Sequence, residues 1–153
     1  IPGFTDIGGP WNVLPPGIHD ATLREVEKRF ATNKTRKKLY DGLLRGVEAL
    51  SAAGCMKVFL DGSFVSDKPN PGDFDACWET KGVDDEKLDP VLLDFTQGRK
   101  NQKLKFGGEF FPACAKADGS RSFVQYFQTD KYTGEPKGII RILLSSWKQG
   151  GGT

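Results

Sequence analysis

An α+β fold, a mixed β-sheet with helices packed mainly on one face, is the architecture this sequence predicts. Two helical patterns come first, and short apolar runs of strand length then follow with one further helical pattern among them. Length agrees, because 153 residues can bury one real core and are too few for two. The predicted organisation is an irregular N-terminal arm over 1–18, a single domain over 19–149 and a flexible tail over 150–153.

The arm is rich in Gly and Pro, yet Phe4, Ile7, Trp11, Val13 and Leu14 punctuate it, so it is expected to lie against the domain. Thr22-x-x-Glu25 is a capping box, and Leu23, Val26 and Phe30 follow at helical spacing. A second helix runs from Asn33 to Ala53, its apolar stripe formed by Leu39, Leu43, Val47 and Leu50, and Gly54 stops it. Arg36, Lys37 and Lys38 read as its solvated face. Met56–Leu60 is a short apolar strand that breaks at Asp61-Gly62-Ser63; a polar loop over 66–72 leads to a second strand, 74–78. Asp84–Phe95 reads as a helix with Pro90 tolerated in its first turns, and Gln97–Gln102 as a polar connection. Leu104–Ala115 and Ser122–Gln128 read as strands joined by the Ala117–Ser120 turn, and Gly138–Leu144 as the last strand.

Composition removes several function classes. Twenty-two basic and twenty acidic residues leave a net charge of +2, too balanced for a nucleic-acid coat or a polybasic membrane binder. No apolar run reaches about 18 residues, so no membrane-spanning helix is expected. Ile1-Pro2-Gly3-Phe4 lacks the basic and apolar regions of a signal peptide. Cys55, Cys77 and Cys114 are odd in number and far apart, which points to reduced thiols and a cytoplasmic location. With one histidine and no paired ligand spacing, a zinc site is not expected. His19 itself reads as a loop or capping residue.

The stretch that carries chemistry is Asp61-Gly62-Ser63, a loop, then Asp73-Phe74-Asp75. Residues i and i+2 of a strand share a face, so Asp73 and Asp75 stand side by side. Adjacent carboxylates repel unless a proton or cation lies between them, and such oxygens suit Mg²⁺ or Mn²⁺. Gly62 permits a tight turn close to a ligand, and Ser63 offers an N–H and a hydroxyl to a phosphate oxygen. Metals to neutralise charge and a small-residue loop to hold a triphosphate are the parts phosphoryl chemistry needs.

Gly-Ser, nine intervening residues, then Asp-hydrophobic-Asp resembles the signature of the DNA polymerase β-like nucleotidyltransferase superfamily. Its minimal members are small bacterial domains often encoded in toxin–antitoxin pairs. Leu14-Pro15-Pro16-Gly17-Ile18-His19, Gly62-Ser63-Phe64-Val65 and Lys137-Gly138-Ile139-Ile140 add to the likeness with small proteins of this kind. The resemblance implies a nucleotidyltransferase-like sheet and Mg²⁺- or Mn²⁺-dependent transfer of a nucleoside monophosphate from a nucleoside triphosphate such as ATP. It also implies a third carboxylate on a later strand, for which Glu109 is the candidate. The implied roles are Asp73, Asp75 and Glu109 as catalytic and metal-binding residues, and Gly62, Ser63 and Lys137 as nucleotide-binding residues. A chain this short has little room for a substrate domain, so the acceptor would be a docking protein, such as a toxin partner, or an RNA. The rival expectation is a binding module of the same fold, an antitoxin or regulator with weak or no catalysis. Two departures stand out: Glu at 109 where Asp is commoner, and Asp61 where the superfamily carries an apolar residue, read here as a helix cap.

Overall fold

The computed structural model describes residues 1–144, so the predicted tail and the last residues of the predicted domain lie outside the described residues. Five strands and four helices follow one another: β1 (Gly17–Ala21), α1 (Leu23–Phe30), α2 (Lys34–Ala52), β2 (Lys57–Asp61), β3 (Phe74–Trp78), α3 (Thr96–Phe106), β4 (Gly108–Pro112), α4 (Phe123–Phe127) and β5 (Gly138–Leu143). They form one mixed sheet in the order β1-β5-β2-β3-β4. The outer pairs, β1 with β5 and β3 with β4, are parallel, and the inner pairs are antiparallel. The α+β architecture expected from the residue pattern is therefore the observed one.

Period-two alternation sorts the sheet into two faces. Val58, Leu60, Phe74, Ala76, Phe110, Ile140 and Ile142 point into the main core, where they meet Leu39, Leu43, Val47 and Leu50 of α2 and the apolar faces of α1 and α3. Cys77, Ile139, Phe59 and Phe111 point the other way, onto Phe123 and Phe127 of α4. Three helices thus cover one face and a five-residue helix covers part of the other. Capping fixes α1 as read: Thr22 accepts from the Glu25 amide and Glu25 accepts from the Thr22 amide. Asn33 caps α2 in the same manner at the Arg36 amide.

Helix α2 approaches its neighbours unusually closely. A Cβ at Gly42 would sit 1.8 Å from the Phe106 carbonyl oxygen, and one at Gly46 would sit 2.3 Å from the Phe110 ring. These two glycines let α2 press on the end of α3 and the start of β4, which seats the strand carrying Glu109.

The arm lies on the domain as expected: Val13 and Leu14 are buried, and Ile1 and Phe4 pack against the core. Its last residues, Gly17 and Ile18, belong to β1 instead of the irregular segment.

Four readings of the middle of the chain need correction. Asp84–Phe95 is not a helix; turns lead to a 3-10 turn over Pro90–Leu93. Proline excludes α geometry from the residue before it, and Asp89 is accordingly held at ψ 121. The polar stretch 97–102, read as a connection, belongs to α3; the strand read over Leu104–Ala115 is still helix at Leu104 and runs only over Gly108–Pro112. Gly107, at φ 76, ends that helix in the left-handed conformation. Ser122–Gln128 is not a strand but α4, closed by a second capping box between Ser122 and Gln125.

Candidate functional site

Strands β2, β3 and β4 bring a row of carboxylates together on the face that α4 leaves open. Asp61 pairs with Asp75 across β2 and β3, and Asp75 pairs with Glu109 across β3 and β4. Asp73 precedes β3 and joins them: one carboxylate oxygen from each of Asp73, Asp75 and Glu109 lies within 4.8 Å of the others. The strand carrying Glu109 is therefore next to the one carrying Asp75, on the same face, with Phe110 turned into the core.

Crowding shows in the electrostatics. Burial, then the charges of Asp61, Asp73 and Glu109, push the Asp75 carboxyl up to about 7, with Lys137 pulling it back. Asp73 is raised by burial and by Glu109, while Lys103, Lys131 and Lys68 oppose the rise. Three carboxylates this close, two of them raised by burial and by their neighbours, are a chemical fit for a hard divalent cation.

Asp61 is part of this row, not a helix cap. It is buried, its pKa is raised by that burial, and Lys137 forms an ion pair with it. Lys137, expected at the nucleotide, thus has Asp61 as its partner, although it also lines the groove above the carboxylates. The period-two relation of Phe59 and Asp61 on β2 is the signal that would have placed Asp61 beside Asp75.

Gly62 and Ser63 border the same carboxylates. Gly62 sits at φ 90, and a Cβ there would come within 3.0 Å of the Asp75 amide nitrogen and 3.2 Å of its Oδ2. Both the backbone angle and the space require glycine. Ser63 opens a 3-10 turn whose carbonyl accepts from the amide and hydroxyl of Ser66.

Arg36 holds that turn from below, which corrects its reading as part of a solvated face. It is buried, and its guanidinium donates to the carbonyls of Phe30, Phe64, Ser66 and Lys68 at 3.1, 2.6, 2.7 and 2.6 Å. Helical spacing alone could not reveal this, because a buried Arg and an exposed one share the same local pattern. His19, read as a loop or capping residue, instead lies in β1 opposite Ile140 of β5, its Nε2 2.7 Å from the Pro15 carbonyl oxygen.

Above the row lies an open groove of about 1080 Å³. Trp11 of the arm forms one wall, tied to the loop at Asp67 by paired hydrogen bonds with Asn12, and Lys68 lies over the Trp11 ring. Phe111 and Phe123, stacked at 4.2 Å, also line it, with Arg121, Tyr126 and Lys131. The groove therefore has acidic ground, basic edges and aromatic sides.

Glu109 carries two cations that sequence reasoning passed over: Arg99 at 3.1 Å and Lys103 at 3.0 Å. Both fall on α3, Arg99 inside the stretch read as a connection and Lys103 just after it.

Among described residues, no helix is long and apolar enough to cross a membrane. No curated protein and no solved structure matches the chain. A family model does, over residues 9–143, and its description is a family of unknown function, DUF6932. The match spans the arm's second half, the whole sheet and every carboxylate of the groove, so the chain belongs to the DUF6932 family.

Proposed function

We propose that this protein is a Mg²⁺- or Mn²⁺-dependent nucleotidyltransferase that moves a nucleoside monophosphate from a nucleoside triphosphate to a protein or RNA acceptor. The observation that carries this reading is the convergence of Asp73, Asp75 and Glu109 oxygens within 4.8 Å, beside Gly62 and Ser63. The donor set fits the ion, because it is all carboxylate oxygen and the pKa values of Asp73 and Asp75 are raised, by burial first and by neighbouring carboxylates second. A bound divalent ion would neutralise charge developing on the transferring phosphoryl group.

The chain's own residues then divide the work. Asp73, Asp75 and Glu109 would hold the metal, and Glu109 would also take the proton of an acceptor hydroxyl. Gly62 and Ser63 bring backbone close to the triphosphate, and the basic edge at Lys68 and Lys131 faces its negative charge. Lys137 keeps Asp61 neutralised below them. A cytoplasmic setting accords with the free thiols of Cys55, Cys77 and Cys114.

One observation favours the rival, a binding module of the same fold acting on a toxin-type partner with weak or no catalysis: Glu109 already has two cationic partners. Incubation with α-phosphate-labelled triphosphate, Mg²⁺ and candidate protein or RNA acceptors separates the two. Label transferred by the wild type and lost in Glu109→Gln supports the enzyme. Metal-dependent triphosphate binding without any transfer supports the module, and no binding at millimolar metal and nucleotide overturns both.

A further inference from the structure

Each oxygen of Glu109 has its own cation. Arg99 Nε lies 3.1 Å from Oε2 and Lys103 Nζ lies 3.0 Å from Oε1, the first from the start of α3 and the second from its last turn. The Arg99 guanidinium also lies 5.4 Å from the centre of the Phe111 ring, on the groove wall.

Reaching Glu109 in this manner requires an unusual backbone. Gln97, Gly98 and Arg99 are successive left-handed residues, at φ 51, 64 and 63. Only the middle one is glycine, and side chains at Gln97 and Arg99 make that conformation costly. Such strain persists where surrounding interactions over-determine it. Here those interactions are the ion pair to Glu109 and the stack on Phe111.

A divalent cation held by Asp73, Asp75 and Glu109 would need an oxygen that Arg99 or Lys103 now holds. Metal and clamp therefore compete for one carboxylate. A displaced guanidinium remains in the groove, and its planar fork suits phosphate oxygens. We propose that Arg99 and Lys103 form an exchangeable clamp, paired with Glu109 until a metal takes that carboxylate, and then turned to the phosphates of the nucleoside triphosphate. This inference rests on the metal-site reading above and adds an order of events to it: metal binding frees the side chains that grip the polyphosphate.

The test is calorimetric titration of Mn²⁺, and then of ATP at saturating Mn²⁺, into wild type, Arg99→Ala and Lys103→Ala. Melting curves without ligand serve as the control for folding. Removing either cation should tighten Mn²⁺ binding and weaken ATP binding, each by about fivefold, the worth of a partly exposed ion pair. A purely structural role would not move the two affinities in opposite directions. Lys103 lies in regular helix, so its variant remains informative if Arg99→Ala disturbs the left-handed turn. Unchanged Mn²⁺ affinity in a folded Lys103→Ala, or loss of both affinities together, overturns the clamp while leaving the metal site standing. Failure of the wild type to bind Mn²⁺ overturns the metal site and the clamp with it.

Discussion

Asp61 and Lys137 form an ion pair buried at the end of the carboxylate row, joining β2 to the residue just before β5. Asp61 faces Asp75 in the β2–β3 register, so without Lys137 the row would hold another uncompensated charge.

Lys137→Met should therefore destabilise the protein by about 3 kcal/mol, because breaking a buried pair strands the remaining charge. Asp61→Asn in the same chain should recover most of that loss, since the stranded charge is gone. Urea unfolding of the single and double variants measures both values.

Asp73→Asn with Asp75→Asn should leave the metal-free protein folded and as stable as the wild type or more so. The reason is that burial and mutual repulsion already penalise these two charges. The same double variant should lose the rise in melting temperature that Mn²⁺ with ATP gives the wild type. Unfolding of the double variant would make the two residues structural.

The Asp75 shift also predicts a pH dependence. Its folded pKa of about 7 stands well above the ordinary aspartate value of 3.8. A raised pKa means that folding favours the protonated form, so this contribution is fully present below 3.8 and is lost as pH rises toward 7. Without metal, wild type and Asp75→Asn should differ little near pH 4, and the variant should become the more stable as pH approaches 7. Taking the difference between the two proteins cancels the carboxylates that titrate in the other direction, such as Asp118. Added Mg²⁺ should stabilise the wild type most at the upper end of that range.

Much of the fold was legible because its signals are local. Thr22-x-x-Glu25 marks α1, the Leu39–Leu50 stripe marks α2, and the spacing of Asp73 and Asp75 after Gly62-Ser63 marks the candidate site. The middle of the chain was not, and the reasons are particular. Helix α3 is polar over most of its length, and its buried Gln102 donates to the Leu92 carbonyl and accepts from the Phe110 amide, so polarity there did not mean exposure. Phe123–Phe127 is aromatic enough to resemble a strand, and only the Ser122–Gln125 box betrays the helix. Arg99, Lys103 and Arg36 gain their roles from contacts 10, 6 and up to 32 residues away, which no short window contains.

Gly42→Ala sets two effects against each other. Alanine in a helix interior gains roughly 1 kcal/mol over glycine. A Cβ at 1.8 Å from the Phe106 carbonyl oxygen, however, forces α2 and α3 apart, and overpacking costs about 1–3 kcal/mol or more. Backbone cannot swing aside like a side chain, so the clash should win and the variant should melt below the wild type. Gly3→Ala, with nothing within 4 Å, is the neutral control.

Arg36 offers the sharpest separation between fold and site. Its guanidinium satisfies carbonyls from Phe30 and from the turn at Phe64, Ser66 and Lys68, the segment that follows Gly62 and Ser63 and leads to Asp73. Arg36→Met fills the space but leaves those acceptors buried without donors, each worth about 1–3 kcal/mol, so a loss of at least about 3 kcal/mol is expected. Arg36→Lys restores a charge and three donors without the planar fork, so it should cost less yet still slacken the turn. Hydrogen exchange should report that slackening at the Ser66 amide, which donates to the Ser63 carbonyl, while amides inside α2 stay protected. Mn²⁺ binding, which depends on the strands, should persist in Arg36→Lys, whereas ATP binding should weaken because its seat at Gly62 and Ser63 is no longer held. Equal loss of both ligands in a folded Arg36→Lys would show that the turn and the carboxylate row are one rigid unit.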